Sequence, residues 1–207
     1  MKLISFLRGL ILTRFSQTQK YWESRYAHYG EKAELNLSSN TLEEESLHQQ
    51  QLKIIEGIYQ GKTGLDILDF GCGTGRFSIF LSEFTKSQVV AYDFSVLVSN
   101  FQKQNAGVTY TSDFGFVMAR KYDNIFISLV LGAMNDADAR HTASKLSEAL
   151  KMDGFIVVAE NTSSLRSSGW KFRSVEQYSD FFPGFAITVV AKYIDNGEEI
   201  TVFTLAR

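Results

Sequence analysis

The feature that most constrains the fold is a series of short apolar runs that alternate with helical patterns from residue 65 onward. The first five runs are continuously apolar, as is typical of parallel strands that helices cover on both faces. The last two runs are joined by the tight-turn sequence DNGE, which predicts an antiparallel hairpin. The seven predicted strands are 65–70, 88–93, 107–111, 123–131, 154–160, 185–193 and 199–206.

Helical patterns lie between most of these strands and ahead of the first one. We therefore predict an α/β fold: a doubly wound, seven-stranded, mostly parallel sheet with a C-terminal antiparallel hairpin, helices on both faces and a helical N-terminal extension. In such sheets, ligands bind beyond the carboxyl ends of the strands, where the strand order reverses. The predicted helices are 41–59, 75–86, 95–105, 136–151 and 173–182, with a short helical piece over 113–120.

The composition places limits on location and partners. The 207 residues are 44 % hydrophobic and 21 % charged, with a net charge of −2, which does not favour a nucleic-acid partner. Cys72 is the single cysteine, so no intramolecular disulfide can form, and we expect a cytoplasmic protein. No apolar run reaches the roughly 20 residues that a membrane-spanning helix needs.

A glycine-rich loop follows the first predicted strand. It has the pattern D-x-G-x-G-x-G, formed by Asp69, Gly71, Gly73 and Gly75. A dinucleotide fingerprint would need a third glycine where Arg76 stands, and a P-loop would need a G-K-[ST] ending that is absent. The loop is therefore suited to a ligand that approaches the backbone closely and carries no phosphate.

The stretch LDFGCGTGRFS resembles the signature motif of class I methyltransferases, which use S-adenosylmethionine (SAM) as cofactor. The resemblance covers about residues 40–207. It implies that Asp69 lies near the amino group of the methionine moiety, and that Gly71, Gly73 and Gly75 approach the cofactor. Cys72 lies inside this loop, where a small neutral spacer is expected.

Two further acids match the family at the ends of the second and third strands. The resemblance implies that Asp93 binds the ribose diol, and that Asp113 and Phe114 bind the adenine. Phe94 and Phe114 would then enclose the adenine ring, although both could also be ordinary core aromatics. The alternative for Asp93 and for Asp113 is to cap the helix that follows.

The N-terminal 40 residues form a separate predicted unit, ahead of a Rossmann-like methyltransferase domain over 41–207. YWESRY resembles an aromatic segment that closes over the cofactor in small-molecule members, which implies that Arg25 meets the methionine carboxylate. Residues 1–15 carry an apolar helical face and three basic residues. We expect this face to pack on the protein or on a second copy in a homodimer, rather than on an anionic membrane surface.

The residues that would act on the acceptor are harder to identify. The segment LVLGAMND, after the fourth strand, lacks the histidine that many small-molecule members carry there, and no N-P-P-[YF] motif is present. Glu160 and His28 are the candidate catalytic residues, with the capping of a loop as the alternative role for Glu160, whereas His48 and His141 are expected at the surface. No metal site is predicted. A polar loop could grip an anionic or sugar-like acceptor through Arg166, Trp170, Lys171 and Arg173, or it could be a solvated loop without that role.

These observations predict a SAM-dependent methyltransferase that acts on a small molecule or a glycan by in-line transfer. The protein mainly has to align the acceptor, because the cofactor supplies the activated carbon. A catalytically silent, cofactor-binding partner subunit is the first alternative, since no standard base is present. A methyltransferase of RNA or protein is the second alternative.

Overall fold

The computed structural model describes residues 19–30, 41–163 and 171–207. The predictions made for residues 1–15, Arg166 and Trp170 lie outside these ranges.

Seven strands form one sheet in the order β3-β2-β1-β4-β5-β7-β6. The pairs β1–β2, β1–β4, β2–β3 and β4–β5 are parallel, whereas β7 runs antiparallel to β5 and to β6. The predicted seven-stranded, mostly parallel sheet with a C-terminal hairpin is confirmed. The strands are β1 (Asp66–Phe70), β2 (Gln88–Tyr92), β3 (Val108–Thr111), β4 (Tyr122–Ser128), β5 (Leu150–Asn161), β6 (Ala186–Asp195) and β7 (Glu198–Ala206).

Helices flank the sheet and precede it. Two predicted helices are shorter than expected: 95–105 becomes a 3-10 helix, Val96–Phe101, and 173–182 keeps only five helical residues. A second 3-10 helix is Leu131–Ala133. The α-helices are α1 (Gln19–Tyr29), α2 (Thr41–Tyr59), α3 (Arg76–Thr85), α4 (Phe114–Met118), α5 (Asp136–Ala149) and α6 (Val175–Ser179).

The fourth strand ends earlier than its apolar run suggested. Leu129 has a φ of 56°, a left-handed conformation that a β-strand cannot contain. The chain therefore leaves the sheet after Ser128, and Leu131–Ala133 turns as a 3-10 helix. The apolar residues that resembled a longer strand instead form a loop at the carboxyl edge.

Two hydrophobic clusters lie on opposite faces of the sheet. Strand residues alternate between them, so that Leu68 joins one cluster and its neighbour Ile67 joins the other. α5 contributes Ala139, Ala143 and Leu146 to the first cluster, and α2 and α3 contribute Ile55, Tyr59, Phe77 and Leu81 to the second. The sheet is thus covered on both faces, which explains why its parallel strands are continuously apolar.

The strand order reverses next to β1, whose neighbours are β2 on one side and β4 on the other. The crossovers leave β1 in opposite directions at this point, and in open sheets of this kind ligands bind beyond the carboxyl ends of the strands at such a reversal. α1 lies beside the same edge, because its Tyr26 is buried against Val98 of the first 3-10 helix. The fold therefore directs the glycine loop and the strand-end acids to one edge of the sheet.

A buried hydrogen bond between α2 and β4 provides a test of this packing. The Tyr59 hydroxyl donates to Asn124 Oδ1, and both side chains are 0 % exposed. We expect Tyr59→Phe to lower the free energy of unfolding by about 1–3 kcal/mol, because the buried Asn124 oxygen loses its donor. Urea unfolding measures this change. Tyr29→Phe, on an exposed side chain, serves as the control, and equal stabilities of the two variants would contradict the prediction.

Candidate cofactor and acceptor site

The glycine loop after β1 adopts a conformation that requires glycine. Gly71, Gly73 and Gly75 have φ values of 78°, 52° and 85°. A Cβ on Gly71 would lie 2.3 Å from Val130 Cγ2, and a Cβ on Gly75 would lie 2.3 Å from the Tyr110 hydroxyl. Neither position therefore has room for a side chain, and the backbone conformation disfavours one as well.

Backbone hydrogen bonds tie this loop to the end of β2. The N–H groups of Gly71 and Cys72 both donate to the Tyr92 carbonyl, at 2.8 and 2.9 Å. Cys72 is buried, and its thiol lies 3.4 Å from the Gly73 carbonyl oxygen, which suits the predicted spacer. The loop then leads into α3, which begins at Arg76.

Asp69 lies beneath the loop. It is 2 % exposed, and its Oδ2 accepts a hydrogen bond from the Ser78 hydroxyl at 2.5 Å. This contact joins the end of β1 to the first turns of α3. The geometry gives Asp69 a role in holding the loop, and a direct contact between Asp69 and a cofactor amino group stays a prediction.

Asp93 follows β2 and faces the loop. Its Oδ2 accepts from the Gly73 N–H at 3.1 Å, and its Oδ1 accepts from the Ser95 N–H at 2.9 Å. Burial raises the pKa of Asp93, whereas both N–H donors act to lower it. Asp93 therefore makes the local contact with Ser95 that the capping alternative suggested, and it also touches the glycine loop.

Asp113 caps α4. Its Oδ1 accepts from the N–H groups of Gly115 and Phe116, at 2.8 and 3.2 Å, as the capping alternative predicted. Oδ2 has no hydrogen-bond partner among the described residues and is on an exposed side chain. Phe114 packs against Phe70 and Tyr92, whereas Phe94 is 39 % exposed at the same edge.

Four buried side-chain atoms lack a hydrogen-bond partner by distance and angle in the described part of the chain: Ser95 Oγ and Tyr110 OH beside the glycine loop, and His48 Nδ1 and Gln51 Oε1 on α2. Tyr110 shares a row of the sheet with Ala91 and Asp69, and its hydroxyl reaches Gly75. Burial raises the pKa of Tyr110 to about 12, so the hydroxyl stays protonated. Unpaired polar groups next to a crowded glycine loop fit a ligand that supplies the missing partners.

A carboxylate holds the loop that follows β4. Glu160 Oε1 accepts from the N–H groups of Val130 and Leu131, at 2.8 and 2.6 Å, and Oε2 accepts from the Gly132 N–H at 3.1 Å. The side chain is 0 % exposed. Burial raises the pKa of Glu160 to about 7, while the three N–H donors and Arg173 favour the ionised form.

These contacts do not favour the catalytic role that the sequence predicted for Glu160. Both oxygens already accept hydrogen bonds inside the protein, and the carboxylate would have to release the loop before it could take a proton from an acceptor. The position of Glu160 at the carboxyl edge was predicted, and its contacts match the alternative role of capping a loop.

Arg173 stabilises the same loop by donating hydrogen bonds to the backbone carbonyl groups of the loop. The guanidinium donates to the carbonyls of Leu131 and Met134, at 2.9 and 2.8 Å, and to Asp136 at 2.6 Å. Arg173 is only 5 % exposed, so it does not present its charge to an acceptor as the sequence suggested. The Lys171 backbone N–H donates to the Gly132 carbonyl at 2.9 Å, and its ammonium lies 3.7 Å from Asp136.

The predicted residues on α1 lie among aromatic rings. The guanidinium carbon of Arg25 is 5.7, 5.9 and 5.6 Å from the ring centroids of Tyr21, Trp22 and Tyr29. His28 is exposed and makes an edge contact with Tyr29, at 4.4 Å between centroids. His28 is thus placed at the surface of α1 and not in a buried pocket.

Sequence reasoning missed Ser78, Tyr110 and Gln51, which are ordinary helix or strand residues with no local signal. It was wrong about His48, which is half-buried against Phe77 rather than facing solvent; His141 is exposed, as expected. Within the described ranges, no helix has the length and apolar character to cross a bilayer, and no group of three metal-binding side chains occurs.

We expect Gly75→Ala to lower stability and S-adenosylhomocysteine (SAH) affinity, because the new methyl group would collide with Tyr110 in a strained backbone. Gly184→Ala is a matched control, since Gly184 has the same φ of 85° and open space around it. The control measures backbone strain alone, on the order of 1–2 kcal/mol. Thermal unfolding and calorimetry test this, and equal effects of both substitutions on both readouts would contradict the proposed crowding.

We also expect Glu160→Gln to loosen the loop after β4. The glutamine oxygen can still accept from the N–H groups of Val130 and Leu131. The glutamine NH₂ group then faces the Gly132 N–H, and two donors cannot form a hydrogen bond with each other. Hydrogen exchange should accelerate at the amides of 130–132, with a loss of about 1–3 kcal/mol in stability. Glu176→Gln, on exposed α6, is the control. Unchanged exchange in Glu160→Gln would show that the carboxylate does not hold the loop.

The chain was compared with known proteins. The family model described as "Methyltransferase domain" matches residues 31–192. No curated protein matches the sequence.

Solved structures share the fold at low sequence identity. The N-methyltransferase NodS from Bradyrhizobium japonicum WM9, in complex with SAH, is 16 % identical with a TM-score of 0.65, over 92 % of this chain and 97 % of that chain. A DhpI–SAH complex is 19 % identical with a TM-score of 0.67, over 94 % and 96 %. Magnesium protoporphyrin IX methyltransferase from Synechocystis PCC 6803, with bound SAH, is 14 % identical with a TM-score of 0.68, over 96 % and 99 %.

These comparisons confirm the predicted fold and the predicted family, whose cofactor is SAM. The glycine loop at the reversal of strand order agrees with them. The chain belongs to the methyltransferase domain family.

Proposed function

We propose that this chain transfers a methyl group from SAM to a small-molecule acceptor by in-line displacement. The observation that carries the proposal is the glycine loop with positive φ values, fixed between β1 and Asp93 at the point where strand order reverses. The similar fold of magnesium protoporphyrin IX methyltransferase, whose name gives a small-molecule acceptor, supports the acceptor class. SAM supplies an electrophilic methyl group when bound.

The described residues provide a consistent set of cofactor contacts. Gly71, Gly73 and Gly75 allow close approach of the backbone, with Cys72 as spacer. Asp93 lies where a ribose diol could compete for its carboxylate oxygens. The open Oδ2 of Asp113 is suited to the amine of adenine.

The remaining predicted contacts belong to the edges of the proposed cofactor site. Exposed Phe94 and half-buried Phe114 offer apolar surface for the adenine ring. Asp69 positions the loop from below, and a contact with the cofactor amino group is part of this proposal. Arg25 remains the proposed partner of the methionine carboxylate, on a helix that lies beside the same edge.

The chain is proposed to act mainly by alignment and exclusion of water, with an acceptor nucleophile whose lone pair is available without a buried base. Glu160 and Arg173 use their polar atoms to shape the loop after β4, and His28 lies outside on α1. Holding two reactants in line can supply several kcal/mol of a barrier without proton transfer. A glycan remains a further candidate acceptor.

A second candidate function is a cofactor-binding subunit without activity of its own. The loop after β4 favours this function. From Leu129 to Met134 it contains only apolar side chains and a glycine, and its backbone groups form hydrogen bonds with Glu160 and Arg173. In this alternative SAM still binds, but methyl transfer requires a partner.

A homodimer that uses residues 1–15 is also part of the proposed function.

Isotope-labelled SAM and a panel of small amines, carboxylic acids, phenols, thiols and glycans test the two functions. The small-molecule proposal expects transfer of label to at least one class at a rate that rises with enzyme concentration. SAH binding without transfer to any class, restored by adding a cell extract fraction, would favour the partner-subunit function. Absence of SAM and SAH binding would reject both.

We expect Asp93→Ala to weaken SAH binding by about 1.5–3 kcal/mol, roughly 10- to 150-fold, because charge-assisted hydrogen bonds are lost. Isothermal titration measures the affinity. Asp93→Asn keeps one oxygen for Ser95 or Gly73 and should give an intermediate value. Unchanged affinity in a folded Asp93→Ala protein would remove Asp93 from the site.

A further inference from the structure

The loop after β4 depends on the charge of the carboxyl group that holds it. Glu160 is 0 % exposed, and its two oxygens accept from the N–H groups of Val130, Leu131 and Gly132. An ionised carboxylate accepts hydrogen bonds and donates none, so it can serve all three amides at once. In a carboxylic acid, the oxygen that carries the proton becomes a weaker acceptor, and its O–H needs an acceptor of its own. Protonation at either oxygen therefore weakens at least one of the three hydrogen bonds.

The charged and titratable groups around Glu160 leave both of its charge states accessible near neutral pH. Arg173 lies ahead of α6 and is paired with Asp136, and the Tyr178 hydroxyl of α6 lies 3.4 Å from Glu160 Oε2. Tyr193 on β6 also interacts with the charge of Glu160, and burial raises the pKa of both tyrosines, which stay protonated. Burial raises the pKa of Glu160 to about 7, although the three N–H donors and Arg173 act to lower it.

The same loop contacts the glycine loop directly. The side chain of Val130 fills the space next to Gly71 in which a Cβ would lie, with Cγ2 2.3 Å from that position. The Val130 N–H donates to Glu160 at 2.8 Å. From the side of β2, the Gly71 N–H donates to the Tyr92 carbonyl at 2.8 Å. Gly71 therefore lies between the end of β2 and a side chain whose backbone Glu160 holds in place.

Movement of the loop after β4 would change the affinity of Glu160 for a proton. The N–H donors lower the pKa of Glu160, so a loop that moved away from the still buried carboxyl group would leave that group with a higher pKa. By linkage, proton uptake by Glu160 favours the displaced loop, and ionisation favours the loop that contacts Gly71. The direction of the coupling follows from the hydrogen bonds themselves.

We propose that Glu160 is a positioning residue for the cofactor: its ionised carboxylate holds Val130 against Gly71 and thereby keeps the glycine loop in the conformation that binds SAM. This inference rests on the proposed function and deepens it, because it links cofactor affinity to a group that is fully buried behind the loop. Cofactor binding weakens as Glu160 takes up a proton, and binding of the cofactor in turn favours loss of that proton.

A double-mutant cycle in the full chain tests the route through Val130. Glu160→Gln removes the charge, whereas Val130→Ala keeps the backbone donor and removes the methyl groups beside Gly71. Calorimetry at pH 8 gives the SAH affinity of the wild type, both single variants and the double variant. Each single substitution should weaken binding about threefold to tenfold, and the double variant should bind no more weakly than the weaker single variant. Additive losses, or no loss in either single variant, overturn the proposal.

The pH profile of SAH affinity separates the charge of Glu160 from its packing. Wild-type affinity should fall by about threefold or more from pH 8 to pH 6, because only the ionised fraction is competent to bind, and Glu160→Gln should lack this fall. Glu198→Gln is the matched control: Glu198 is half-buried at the same edge and burial raises its pKa, but its carboxylate accepts from Asn161. No fall in the wild type, a fall that persists in Glu160→Gln, or an equal loss of the fall in Glu198→Gln overturns the proposal.

The free protein gives a readout that does not depend on cofactor binding. The amide NMR signal of Gly71 should titrate near pH 7 in the wild type and stay constant in Glu160→Gln. If SAH does not bind the wild type at any pH, the proposed function fails, and this titration still decides whether Glu160 positions the glycine loop. A Gly71 signal that does not titrate in the wild type overturns the positioning role, whatever the stability of the variants.

Discussion

The site depends on the way in which three successive amides of the glycine loop are fixed to the end of β2. The N–H groups of Gly71 and Cys72 share the Tyr92 carbonyl, and the N–H of Gly73 meets the Asp93 carboxylate. A chain can present consecutive amides to one neighbour only if its backbone adopts conformations that side chains disfavour, which is why glycines recur here. The start of α3 and the position of Asp93 both follow from this turn.

The loop after β4 is stabilised differently, by buried charge. Leu129 still donates its N–H to the Ala159 carbonyl of β5, but the N–H groups of Val130, Leu131 and Gly132 lie outside the sheet and need other acceptors. Glu160 satisfies three of the N–H groups, and Arg173 satisfies two carbonyls. Burying two charges is costly, but each charge here replaces the hydrogen bonds that the loop backbone would otherwise lack. The apolar side chains of the loop pack into the hydrophobic clusters, with Leu131 in the first cluster and Leu129 against the second.

The fold was largely predictable, because continuous apolar runs and turn residues are local signals that tertiary packing did not override. The site was predictable only where residues that are close in the sequence form a recognisable motif. The glycine loop is a contiguous motif, whereas Glu160 and Arg173 take their roles from contacts with residues about 30 to 40 positions away. The sequence places Glu160 at the correct edge but cannot show which way its oxygens face. Leu129 likewise carries no sign of its positive φ.

Val130 links the two loops and shows why they should be treated as one structure. Its N–H donates to Glu160, and its Cγ2 lies where a side chain on Gly71 would have to be. The loop after β4 therefore requires a glycine at position 71 whether or not the cofactor contacts it. In the proposed function, methyl transfer depends on the alignment of donor and acceptor, and the contact between the two loops would fix the relative position of their binding surfaces. The buried charges behind Val130 would then contribute to alignment without touching either reactant.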